Sequence, residues 1–131
     1  MVRSTAAQPT TRALEPAKSR YRPIDMMHLA RQTLGDKGLE LEVLRMFDDA
    51  ASIYFGRIER STTIDELQRN LHTLRGAAAG IGATAVASLA ATAERELREG
   101  ADVNPERIHD LEIAVAECRT WIEELLARQT D

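Results

Sequence analysis

Residues 63–82 read TIDELQRNLHTLRGAAAGIG, and this stretch decides the fold. Apolar residues recur at Ile64, Leu67, Leu71, Leu74 and Ala78, the three-and-four spacing of one helix face. Thr63, with Glu66 three residues later, has the form of a capping box, so the helix starts here. Gly80 and Gly82 are expected to end it. Such a stripe has to be buried against other helices.

The flanking sequence supplies them. A short helix is expected over residues 25–34, stopped by Gly35. A second runs over 38–60 with Leu44, Phe47, Ala51, Phe55 and Ile58 inward. Val43, Met46, Ala50 and Ile53 are expected to widen that face. A fourth covers 83–99 with Val86, Ala90, Ala93 and Leu97, and Gly100 closes it. The fifth begins at Asn104-Pro105, an N-cap followed by a first-turn proline. It carries Ile108, Leu111, Val115, Cys118, Ile122 and Leu125. No stretch alternates as a strand does. The fold class is therefore all-α: an antiparallel four-helix bundle over residues 24–128, with an additional short N-terminal helix packed as a lid.

Composition agrees with one such domain. The chain has 131 residues, of which 44% are hydrophobic but only 4% aromatic, so the core must be aliphatic. The net charge of −4 argues against nucleic acid, whose phosphates need a basic surface. Cys118 is the single cysteine, which excludes an internal disulfide and suits a reducing cytoplasm. The uncharged run over 77–93 is too rich in Ala, Gly, Thr and Ser to span a membrane. No secretory signal is expected, because the N-terminus lacks an apolar stretch. Residues 1–22 carry Arg3, Arg12, Lys18, Arg20 and Arg22 against Glu15 alone. They are expected to form a disordered tail, with an organellar transit peptide as the other reading.

The same helix raises a chemical question. A step of about 100° per residue puts His72 beside the buried Leu71, at the edge of the core face and turned to water. Arg75 and Gly76 follow one turn later, and Ala79 after them. The surface beyond the imidazole is almost bare. A glycine inside a helix costs about 0.5–1 kcal/mol relative to alanine. Either a helix packs closely at Gly76, or another molecule must approach His72 there.

LHTLRGAAAGIGA resembles the active helix of histidine-containing phosphotransfer (HPt) domains, whose pattern is His-x-Leu-Lys-Gly, then small residues and a glycine. LGDKGLELEVLRMF resembles that family's entry into its second helix. The resemblance covers about residues 24–128. It implies that His72 accepts a phosphoryl group from a receiver-domain aspartate and passes it to another receiver aspartate. It also implies that Arg75 stabilises the phosphoryl group, and that Gly76 and Ala79 give the partner access. Glu94, 22 residues after the histidine where the family often has Gln or Glu, would orient the ring. Two positions depart from the pattern: Arg75 stands for the usual Lys, and Ala77-Ala78 for a common Ser-Ser. Arginine keeps the charge and can grip phosphate oxygens with two donors.

No glycine-rich phosphate loop or ATP-binding domain is seen, so a phosphocarrier rather than a self-phosphorylating enzyme is expected. His28, His72, His109 and Cys118 lack metal-ligand spacing, and no metal or cofactor is expected in this chain. The Mg2+ used in transfer is expected in the partner, a response-regulator receiver domain such as that of a hybrid histidine kinase. The chain is expected to be a monomer. His109 reads as an ordinary surface residue. Met26, Met27 and Leu29 form either an adaptable docking edge or a cap on the bundle. The alternative function is a helical-bundle adaptor that binds a signalling partner without transfer.

Overall fold

The computed structural model describes residues 22–129, so all but the last residue of the expected tail over 1–22 lies outside it. The described residues form α1 (Met26–Gln32), α2 (Lys37–Arg60), α3 (Ile64–Ile81), α4 (Thr84–Arg98) and α5 (Pro105–Gln129). They contain no strand. The helix α3 packs against α2 and α4, and α5 closes the ring against the same two helices. Short connections make successive members antiparallel, which gives the four-helix bundle. The short α1 rests on α3.

Local chemistry fixes the helix ends. Asp36 caps α2 by accepting from the Leu39 N–H at 3.0 Å, so α2 starts at Lys37, just ahead of the sequence expectation. Thr63 Oγ1 accepts from the Glu66 N–H at 3.1 Å, and Glu66 Oε1 accepts from the Thr62 and Thr63 N–H groups at 3.0 and 3.3 Å. These bonds, the Thr62 N–H foremost, hold the Glu66 carboxyl below its ordinary range. Thr63→Ala should lower bundle stability by about 1 kcal/mol in urea titrations. At α5, Asn104 Oδ1 accepts from the Glu106 N–H at 3.0 Å.

Gly80 does not end α3, contrary to the expectation; it lies inside the last turn. Gly82 is the stop. It adopts φ +89, its N–H turns back to the Ala78 and Ala79 carbonyls, and a Cβ there would meet the Asp25 carbonyl oxygen at 3.0 Å. The Asp25 N–H donates to the Gly82 carbonyl at 2.8 Å, and His28 Nε2 lies 3.0 Å from the Gly80 carbonyl oxygen. The glycine turn and α1 are therefore one contact.

The inward stripes are buried largely as spaced, with Leu44, Leu71, Leu74, Ala90, Leu111 and Ile122 wholly so. Three apolar residues are instead exposed: Ile64, Met46 and Ile53. Met46 and Ile53 each lie two residues beyond a core residue, a rotation of about 200° that no partner helix covers. Ile64 sits in the first turn of α3. The docking-edge reading of α1 fails for two of its three residues. Leu29 is buried in the core and Met26 packs against it, so both cap the bundle; only Met27 is exposed, at 72%.

Cys118 is buried between α5 and α2. Burial, aided by the charge of Asp48, pushes its thiol up to about 12. The thiolate is the reactive form, so folded protein at pH 8 should resist iodoacetamide. Urea-unfolded protein should alkylate rapidly, as intact-mass measurement would record. The same Asp48 accepts from Arg119 Nε at 2.8 Å and ties the two helices together.

Candidate functional site

Leu71 and Leu74 set the rotation of α3, and their neighbours follow from it. His72 emerges beside Leu71 with its side chain 63% exposed, over a shallow depression lined by Asp65, Gln68, Arg69, Thr73 and Glu94. Arg75, one turn on, is 39% exposed. On α4, Ala93 and Leu97 face the core, and Glu94 beside them is drawn in; only 9% of its side chain is accessible.

These three side chains meet. His72 Nδ1 lies 3.0 Å from Glu94 Oε2 and 2.8 Å from Arg75 Nη2. One ring nitrogen cannot donate to the first and accept from the second. The donor form is the sound one. An unprotonated Nδ1 would press its lone pair against the carboxylate, whereas the long arginine can shift aside. Nδ1–H then donates to Glu94, and the lone pair sits on Nε2. Among the described residues Nε2 has no partner.

Glu94 is also held by cations. Arg75 Nε stands 3.1 Å from Oε1, and Arg98 Nη1 stands 3.0 Å from Oε2. Arg75 Nε and Glu94 Oε1 are buried yet out of line for a hydrogen bond, so they attract as charges only. Arg98 is absent from the sequence-derived site, although its place four residues after Glu94 is the spacing of a helix ion pair.

Simple reflection of α3 onto α4 about Ile81 puts residue 90 opposite His72 and Glu94 a turn away. The turn instead centres on Gly82 and Ala83, because α3 runs to Ile81 and α4 begins at Thr84. That shift carries Glu94 to the imidazole.

Beyond His72 the surface is open. Gly76 and Gly80 have no atom within 4 Å of where a Cβ would stand, and Ala79 is exposed. Close helix packing at Gly76 is therefore ruled out. Ala78 is wholly buried, where a serine would have to find a partner for its hydroxyl.

The other histidines sit elsewhere. His28 is engaged with the Gly80 carbonyl, and His109 stands exposed beside Glu112 at 3.5 Å. Among the described residues no cluster of His, Cys, Asp and Glu could hold a metal ion. Among them, too, no helix is long and apolar enough to cross a membrane.

A sequence model of the Hpt domain matches residues 42–128. No curated protein and no solved structure matches the chain. The matched region takes in most of α2, all of α3 and α4, and nearly all of α5, with His72, Arg75 and Glu94 inside it. Hpt domains are helical phosphocarriers that serve histidine phosphotransfer in phosphorelays and interact with receiver domains. With a helical bundle, an exposed histidine on its third helix and that match across about two-thirds of its length, the chain belongs to the Hpt domain family.

Proposed function

We propose that His72 takes a phosphoryl group from the phospho-aspartate of one receiver domain and delivers it to the aspartate of another. The observation that carries this reading is the division of labour on the ring. Nδ1 faces Glu94 at 3.0 Å, while Nε2 has no partner among the described residues on a side chain that is 63% exposed.

The step follows from that arrangement. The Nε2 lone pair attacks phosphorus in line, and the N–P bond forms as the P–O bond to the donor aspartate breaks. The bonding pair returns to the aspartate carboxylate. The ring keeps its Nδ1 proton and becomes positively charged. Glu94, already at that proton, stabilises the charge. Arg75 is the nearest cation and offsets negative charge on the phosphoryl oxygens. Transfer to a second receiver is the same step reversed. Gly76 and Ala79 let a bulky domain bring its reacting atom to about 3–3.5 Å of Nε2. The Mg2+ belongs to the receiver's acidic pocket. A soluble, cytoplasmic setting and a monomer fit this role.

The test is incubation with a receiver domain carrying a radiolabelled phosphoryl group. Label on this chain that acid removes and alkali spares, the behaviour of a phosphoramidate, is the expected result. Stable binding without any label would replace this reading with the adaptor.

A further inference from the structure

The cluster around Glu94 contains one cation that has no contact with the imidazole. Arg75 reaches both the ring and the carboxylate, with Nη2 2.8 Å from Nδ1 and Nε 3.1 Å from Oε1. Arg98 comes from the other helix and meets only the carboxylate, with Nη1 3.0 Å from Oε2. Two arginines on two helices thus share one carboxylate that is itself 93% or more buried as a residue.

We propose that Arg98 is a positioning residue of the phosphoryl-accepting site. It keeps Glu94 paired and aimed at Nδ1 when Arg75 leaves the carboxylate for the incoming phosphoryl group. This rests on the reading of His72 as the acceptor.

The charges make the exchange necessary. A phosphoryl group on Nε2 brings nearly two negative charges to the ring. Arg75 is the cation already on that ring, with Nη2 2.8 Å from Nδ1, so it is the one within reach of a phosphoryl group there. Without Arg98, that redirection would leave the buried carboxylate with no arginine before the ring has gained its charge, an arrangement disfavoured in a low-dielectric site. Glu94 would then swing towards water. That change removes the charged acceptor from Nδ1–H as the ring becomes positive. Arg98 prevents this because it sits on α4 beside Glu94 and does not move with Arg75. The pair Glu94–Arg98 then serves as the counter-dipole, and Arg75 is the member that turns to the phosphoryl group.

A coupling experiment separates this role from plain structural support. Wild type, Arg98→Met, Glu94→Gln and the double variant are labelled with phosphoramidate and, separately, from a phosphorylated receiver domain. Arg98→Met should slow labelling about tenfold and shorten the lifetime of the phosphohistidine. Arg98→Lys should recover most of the rate. In the Glu94→Gln background, where no buried charge needs a partner, Arg98→Met should change the rate by less than about twofold. Equal losses in both backgrounds would overturn the proposal, because they would mean that Arg98 supports the helix and not the carboxylate. So would an Arg98→Met variant that labels like the wild type. Should Arg98→Met lose its helical signal, Arg98→Gln gives the same comparison. If wild type takes no label from either donor, the acceptor reading itself is what fails.

Discussion

Gly76→Gln is expected to melt at the same or a higher temperature than the wild type, yet to accept phosphate from a receiver domain about a hundredfold more slowly. The two effects have separate causes. No atom lies within 4 Å of a Cβ at Gly76, so a longer side chain displaces nothing within the bundle. Replacing a glycine in a helix interior gains about 0.5–1 kcal/mol of helix propensity. The same side chain would stand one turn from His72, on the surface a receiver must cross. A shift of about 1 Å in the reacting atoms is enough for the loss in rate. Phosphoramidate is small and should still label His72 at nearly the normal rate. A variant that unfolds easily, or that takes phosphate from the receiver at full speed, would refute the access role of this glycine.

His72→Gln should abolish labelling from every donor while the helical circular dichroism signal persists. The side chain is 63% exposed, so its loss should cost no more than about 0.5 kcal/mol of stability. The glutamine amide can still donate towards Glu94, which keeps the buried carboxylate supplied. His28 and His109 remain in this variant as internal controls. Residual acid-labile label would locate the acceptor at one of them.

The rotation of α3 was legible because five apolar residues repeat at helical spacing, and that alone turns His72 to water. The capping residues Thr63 and Asn104 were legible for the same local reason: each bonds within its own helix. What the sequence hid was set between helices. Gly80 and Gly82 look alike as letters, but only Gly82 meets Asp25, just ahead of α1, and takes a positive φ. Met46 and Ile53 are apolar, and only the placement of the neighbouring helices leaves them outside. Leu29 could not be told from Met27 by hydrophobicity, although one lies in the core and the other in water.

The site divides along the same line. His72, Arg75 and Gly76 share one helix, so their spacing could be read directly. Glu94 depends on where α3 turns into α4, and a small change in that turn moves the carboxylate by a full helical step. Its distance from the ring therefore needed the structure. Arg98 was legible in principle, as a cation four residues after Glu94. Its meaning appears only once Glu94 is seen buried against His72.

The most direct test of the account is the identity of the phosphorylated atom. Protein enriched in 15N and phosphorylated by a receiver domain should be examined by long-range 1H–15N correlation NMR of its imidazoles. The account predicts phosphorus on Nε2 of His72, with Nδ1 still carrying its proton, and unchanged signals from His28 and His109. Phosphorus on Nδ1, or on either of the other two histidines, would contradict it.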